Sequence, residues 1–387
     1  MGYLACRYPS RFLLPLIYAI AVVPLSTSLS IYNLKSGVYI YDSIIISIIL
    51  FVITKKTITL KKCDKILSCI IIFYLIYVSF AIAQQKDAVY ILKDLRPFLY
   101  LLTGWLCSSY LDTNALKITN KQVAFLFVCM TIAALLKLNL QDFISTKSAD
   151  DFYKDNTYRY LDASAYISAI FLIYTFSINR IYNKYIITAV CCSIIILAIA
   201  NSRFMLLSII ITVLIANRNN IKKILPFILI SGVMLAGFYY YSVTNEAERI
   251  MRGFTEEGIF YQIITRYGPA LEVIENMDVI NYFFGIGLGE PFYIPWFEYR
   301  GELNPYNINV DSLYFTLFPK FGLLSLLVIY RSSYFFEIKK NNFAKIASLF
   351  VALMFIVSAT TYQIYSIGVI FGYILVICHE RTTRKNN

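Results

Sequence analysis

Runs of about 20 mostly apolar residues, separated by short polar connections, occupy most of this chain. They lie near 11–31, 36–54, 66–83, 95–110, 122–138, 161–179, 185–200, 204–217, 224–244, 312–330, 346–361 and 365–379. A helix of that length satisfies its own backbone hydrogen bonds and spans the hydrocarbon layer, so each run predicts a transmembrane helix. The pattern gives about twelve spans, between eleven and thirteen depending on how the short and polar runs are divided. The pair 185–200 and 204–217 is joined by a turn too short for anything but a tight hairpin. The expected fold is an all-α polytopic integral membrane protein with a single transmembrane domain over 1–387. The pattern shows no soluble domain, linker or internal repeat.

One segment breaks the pattern. Asn245–Asp311 is 67 residues long and carries four arginines (Arg249, Arg252, Arg266, Arg300) and eleven carboxylates. It reads as one large outward loop within the transmembrane domain. Thr265 to Asn281 predicts a helix, with Pro269 in its first turns where proline is tolerated. Ala270, Val273, Ile274 and Met277 share one face and Glu272, Glu275 and Asp278 another, as in a short amphipathic helix lying along a membrane surface. Gly285-Ile286-Gly287-Leu288-Gly289 predicts a flexible turn, and Tyr293, Trp296, Phe297 and Tyr299 crowd the stretch that follows. Those rings fit an interfacial aromatic belt or a surface for stacking sugar rings.

Composition agrees with a membrane location. Apolar residues make up 59% of the chain and the mean hydropathy is +0.64. The net charge of +12 first suggests nucleic acid, but its distribution excludes that reading. With both termini cytoplasmic, the inner segments hold 21 of the 35 Lys and Arg residues and four of the 23 acids. The remainder has 14 positive and 19 negative charges, so the excess of Lys and Arg lies inside and sets the orientation. All eight cysteines fall in spans or inner segments, which leaves no disulfide framework and no Cys-x-x-Cys metal site. Arg7 and Arg11 precede an apolar run long enough to span, which reads as an uncleaved first helix. Cys6 stands where a myristoylation signal needs Ser or Thr.

Three other outer connections place an arginine near a span's outer end: Gln84–Leu95 with Asp94 and then Arg96, Leu140–Tyr160 with Arg159, and the turn Asn201-Ser202-Arg203. Arginines there bind anionic headgroups, pair with nearby acids or hold a phosphate. Asp94 and Arg96 are close enough in sequence to pair with each other. Asp311 stands where a residue would cap the following span. Lys320, a lone charge inside a span, has to line a polar cavity or reach an acid.

Several of these positions resemble the O-antigen polymerase family, within the O-antigen ligase and polymerase superfamily. Asn201-Ser202-Arg203 opening a span is similar to that superfamily's Ser-Arg-Gly signature. Arg266-Tyr267, an amphipathic stretch and Phe284-Gly285-Ile286-Gly287-Leu288-Gly289 resemble its arginine, helix and Gly-x-Gly-x-Gly segment. Asp311-Ser312-Leu313-Tyr314, with Gly322 eleven positions after Asp311, is similar to the start of its next span. Arg159 before Leu161-Asp162 resembles the arginine that precedes its middle span. The chain departs from the pattern at Phe204, which replaces the glycine of the signature, and no outer arginine is followed by glycine after ten intervening residues. Its single histidine, His379, lies at the inner end of the last span, out of reach of an outer-face reaction, which favours polymerase over ligase.

The resemblance implies a GT-C-like fold and a glycosyltransferase at the outer face of the bacterial inner membrane. Donor and acceptor would both be undecaprenyl-pyrophosphate-linked oligosaccharides, with a chain-length regulator as a protein partner. A pyrophosphate on the anomeric carbon is already a good leaving group, so this chemistry needs no metal and no cofactor. It needs a home for the charge that grows on the departing diphosphate, and a guanidinium fork, always protonated, matches phosphate oxygens. On this reading Arg203 and Arg266 stabilise the leaving group and Asp311 takes the proton of the acceptor hydroxyl. Arg159, Arg96, Arg249, Arg252, Arg300, Lys320 and Tyr314 would contact substrate. An O-antigen ligase shares the donor but not the acceptor, and a lipid-linked oligosaccharide flippase is the alternative from a different class.

Overall fold

A computed structural model describes residues 65–110, 118–139, 162–178, 183–200, 202–219, 255–295, 305–333, 342–359 and 364–385, with isolated stretches before 51 and between 225 and 233. The described residues are mostly helical. After a two-stranded pair, β1 (Asn33–Leu34) and β2 (Val38–Tyr39), come α1 (Lys65–Ala83), α2 (Ala88–Tyr110), α3 (Asn120–Asn139), α4 (Ala163–Ile178), α5 (Lys184–Ala200) and α6 (Arg203–Ala216). The second half holds α7 (Glu256–Glu275), α8 (Val279–Phe284), β3 (Phe292–Tyr293), β4 (Tyr306–Asn307), α9 (Leu313–Phe321), a 3-10 turn at Gly322–Leu324, α10 (Ser325–Ser333), α11 (Asn342–Met354) and α12 (Ile364–Lys385). Predicted spans 66–83, 95–110, 122–138, 161–179, 185–200, 204–217, 312–330, 346–361 and 365–379 each coincide with helix, whereas 11–31, 36–54 and 224–244 fall largely outside the described residues. Within the described residues one helical stretch, Leu313–Ser332, is long and apolar enough to cross a membrane by length and composition; the other apolar stretches there, such as Ser68–Ala83, Lys184–Ala200 and Gly368–Glu380, run to 10–17 residues.

Helix α4 is the axis of the fold. Its sequence is apolar or small all round, and Ala163 through Phe176 are all buried, as expected for a helix enclosed on every side. It packs against α5, α6, α11 and α12. The contact with α12 is close because α12 carries Gly368 and Gly372 four residues apart. A Cβ on Gly368 would sit 2.7 Å from the Ala163 carbonyl oxygen, and one on Gly372 would sit 3.1 Å from the Ile167 Cα. Both pairs advance by four residues, so the two helices run parallel, with the small residues on the shared face. At the other end of α4, Asn217 Nδ2 donates to the Phe176 carbonyl (3.5 Å), tying the C-terminal ends of α4 and α6 together. Helix α6 follows α5 closely in sequence, begins at Arg203 and packs on α4 and α11.

Four boundaries differ from the sequence expectation. Helix α2 begins at Ala88, so Asp94 and Arg96 lie within a helix and not in a connection. The Asp87 side chain accepts the Val89 amide (2.8 Å) and starts it there. Helix α7 begins at Glu256, capped by Thr255, whose hydroxyl accepts the Gly258 amide (3.1 Å), with Glu256 and Glu257 in the first turn. Pro269 is consequently inside the helix, which ends at Glu275, and α8 is a separate helix capped by Asp278. Within α7 Ala270 is buried, Val273 and Ile274 are half-buried and Glu272 and Glu275 exposed, whereas Met277 and Asp278, expected on the same faces, lie beyond its end. Helix α11 runs from Asn342 to Met354, earlier than its window, and a turn follows at Phe355. The span at 313–332 is broken at Gly322, where φ is +57° and the chain makes a 3-10 turn before α10 resumes.

The segment after α6 forms a satellite core beside the main one. Ala270 of α7, Phe292 of β3 and Val310 are buried together, with Val273 and Phe315 beside them. Strands β3 and β4 pair antiparallel, Phe292 opposite Asn307 and Tyr293 opposite Tyr306.

Candidate functional site

Two of the three residues expected to carry chemistry meet at the start of α9. The Arg266 Nε lies 3.8 Å from the Asp311 Oδ2, although the two are supplied by different elements. At that separation they form an ion pair and not a hydrogen bond, and both side chains remain open to solvent. An exposed pair of this kind contributes about 0–1 kcal/mol, too little to brace the fold. Their backbones, in contrast, are held firmly.

On the Asp311 side, Ser312 and not Asp311 is the N-cap of α9. Its hydroxyl faces the Phe315 amide (3.5 Å) and the Phe355 carbonyl (3.4 Å). The Leu313 amide also donates to the Phe355 carbonyl (3.0 Å), and Thr316 Oγ1 accepts the Val310 amide (3.2 Å) while donating to the Ser312 carbonyl (2.6 Å). Residues on both sides of Asp311 are thus pinned, and its carboxylate has no capping duty. On the Arg266 side, Tyr267 stacks on Phe315 (ring centroids 5.0 Å apart, planes 27° apart) and donates its hydroxyl to the Ile356 carbonyl (3.3 Å). Ala270, one turn on, is packed in the satellite core. Burial pushes the Tyr267 phenol up from its ordinary pKa, Arg266 pulls it down and Asp311 pushes it up; the net shift is upward, so it stays protonated at neutral pH.

A second polar cluster lies beneath. Lys320, 1% exposed, forms an ion pair with Asp94 of α2 and donates to the Ile308 carbonyl (2.7 Å), with its ammonium 5.5 Å from the centre of the Phe292 ring. Asp94 also accepts the Gly289 amide (2.8 Å). Lys86 donates to the Ile286 carbonyl (2.9 Å) and lies 3.3 Å from Glu290. Lys320 therefore reaches an acid, one of its two expected roles, and its buried charge is engaged by Asp94 and the Ile308 carbonyl. Asp94 pairs with Lys320 and not with Arg96, because residues two apart on a helix face different directions. Tyr314 likewise donates its hydroxyl to the Ala352 carbonyl (2.8 Å), on the α11 side of α9. Arg96 is partly exposed on α2.

The backbone of Arg203 opens α6, and α6 packs on α11, whose C-terminal turn supplies the Phe355 carbonyl to α9. The Arg203 side chain lies outside the described residues, as do Arg159, Arg249, Arg252, Arg300 and the aromatics 296–299. Sequence reasoning missed Ser312 as the cap, Tyr267 as the brace and Asp94 as the partner of Lys320. The last had a readable signal: a lone lysine in an apolar span needs a carboxylate.

Residues 106–385 match a family described as a family of unknown function (DUF6369), and the chain belongs to that family. No curated protein and no solved structure matches it.

Proposed function

We propose that this protein is a glycosyltransferase of the O-antigen polymerase type, acting on undecaprenyl-pyrophosphate-linked repeat units at the outer face of the bacterial inner membrane. The observation that carries the reading is the meeting of Arg266 and Asp311 at 3.8 Å on an exposed, well-held edge. A lone arginine or a lone aspartate would be ordinary there. Together they supply the two groups that this transfer needs. In the proposed reaction the acceptor hydroxyl attacks the donor's anomeric carbon, the bond from that carbon to the diphosphate oxygen breaks, and the diphosphate leaves with the electron pair. Arg266 receives the departing charge and Asp311 takes the hydroxyl proton. A bound diphosphate would compete with Asp311 for Arg266 and free the carboxylate to act as a base. Arg203, at the head of α6, would be the second guanidinium.

The reading also places the apolar helices as spans, about twelve in all, with both termini cytoplasmic and 245–311 on the outer side in a GT-C-like arrangement. Support comes from the nine apolar windows that coincide with helix and from the distribution of Lys and Arg. The test is to incubate purified protein with lipid-linked repeat units and follow product length on a gel. A ladder that disappears in Arg266→Ala and Arg203→Ala supports the proposal. Full-length ladders from both variants would remove this mechanism.

A further inference from the structure

Helix α8 and the glycine turn behind it lie against the middle of a broken helix, not beside its end. The Ile286 amide donates to the Pro319 carbonyl (2.9 Å) and the Gly287 amide to the Lys320 carbonyl (3.0 Å). Those carbonyls are available because α9 stops at Gly322 and no longer supplies their helical donors. The fit excludes any side chain at two positions. A Cβ on Gly285 would lie 2.1 Å from the Lys320 carbonyl oxygen, and one on Gly322 would lie 2.4 Å from that of Tyr282. Both glycines also have positive φ, +76° and +57°. The turn expected from sequence to be flexible is locked.

Two helices report how deep this contact lies. Gly322 is the tenth residue of the 20-residue stretch Leu313–Ser332, so it lies about 14 Å from the outer start of that stretch. On α1, Tyr77 donates to the Phe284 carbonyl and packs with Phe321 (5.0 Å). Tyr77 is six residues before the end of α1 at Ala83, a rise of about 9 Å. Both depths lie inside a hydrocarbon layer about 30 Å thick. From Val279 to Gly289 the chain carries no charge, and α8 exposes Val279 (74%), Ile280 (68%), Phe283 (53%) and Phe284 (57%). On α1, Ile72, Leu75, Ile76 and Phe80 are likewise exposed.

We propose that Val279–Gly289 is a re-entrant element, with the apolar face of α8 in the outer-leaflet hydrocarbon and its turn docked on the break at Gly322. The occupant of that face is lipid acyl chain. Non-helical backbone at membrane depth is tolerated where protein groups satisfy it, and here the freed carbonyls of Pro319 and Lys320 do so. The inference rests on the membrane placement given above, so the test separates the two.

The full chain with Trp105→Phe and Trp296→Phe is reconstituted in phosphatidylcholine vesicles whose acyl chains are brominated midway. Single tryptophans are placed by Phe283→Trp, Leu75→Trp on α1, and Glu272→Trp on the charged face of α7. Quenching of the tryptophan at 283 comparable to that at 75, with the one at 272 quenched by aqueous iodide instead, is the expected result. Iodide quenching at 283 alongside bromine quenching at 75 would overturn the re-entrant element and leave the membrane placement standing. Iodide quenching at both would overturn both. Adding Gly285→Ala should shift position 283 from bromine toward iodide quenching while position 75 stays bromine-quenched, which shows that the variant is still inserted. An unchanged 283 signal would overturn the docking.

Discussion

Lys320→Met should be a strongly damaging single change. It removes the ion pair with Asp94, the hydrogen bond to the Ile308 carbonyl and the contact with the Phe292 ring, and fills the same space with an apolar chain. The damage comes from what is left behind: a buried Asp94 carboxylate whose remaining donor is the Gly289 amide. Breaking a buried pair in this way costs about 3–5 kcal/mol. The double variant Asp94→Asn/Lys320→Met separates charge from packing. Asparagine still accepts the Gly289 amide, no buried charge remains, and the loss should fall to about 1–2 kcal/mol, mainly for the orphaned Ile308 carbonyl. Denaturant titration in detergent micelles, followed by circular dichroism, measures all three proteins. The reasoning is refuted if Lys320→Met loses less than about 1 kcal/mol, or if the double variant is less stable than Lys320→Met alone.

Four further outcomes follow from the same geometry. Asp311→Asn should reduce polymerisation about 10²–10⁴-fold in the gel assay while changing stability by no more than about 1 kcal/mol, since its ion pair is exposed. Ser312→Ala should destabilise by about 1 kcal/mol in the same denaturant titration, because Ser312 caps α9. The raised Tyr267 pKa means that the folded state holds this proton more tightly than the unfolded state does. Stability from this group is present below its ordinary value of 10.0 and lost as pH rises through the higher folded value, so Tyr267→Phe should flatten the alkaline limb of a stability-versus-pH curve. Gly368→Leu should lower the melting temperature in detergent far more than the same change at Gly232, because a Cβ at 368 meets the Ala163 carbonyl at 2.7 Å and one at 232 meets nothing within 4 Å.

What was legible in the sequence was whatever depends on composition over a long window. Helices α1, α3, α4, α5, α6 and α12 coincide with apolar runs because runs of that length are too long for strands and read as helix. The apolar run stops short of the start of α2, since Lys93, Asp94 and Arg96 depress the local hydropathy. The charge of Asp94 is tolerated there only through a lysine 226 residues away, which no local window contains. The start of α7 was readable and missed: Thr255 followed by Glu256 and Glu257 is a helix N-terminus signature. The break at Gly322 was half readable, from Pro319 and Gly322 as helix breakers, but its docking partner Tyr282–Gly287 is a tertiary fact. The pairing of Arg266 with Asp311 was nominated residue by residue through resemblance, and only folding brings the two together.

The reason they come together is mechanical. Phe292 touches both clusters: on one side it packs with Ala270, one turn beyond Arg266, and with Val310, next to Asp311; on the other its ring faces Lys320. The Lys320 ammonium in turn holds the Ile308 carbonyl, three residues before Asp311, and Asp94 holds Gly289, three residues before Phe292. The buried ion pair and the exposed one are therefore linked through a single aromatic side chain and a few backbone atoms. The β3–β4 pairing joins the chain on either side of residues 296–304, and the free energy of closing a loop between fixed ends changes only logarithmically with its length. Position at the exposed edge is thus set by the cluster beneath it and not by how many residues join β3 to β4.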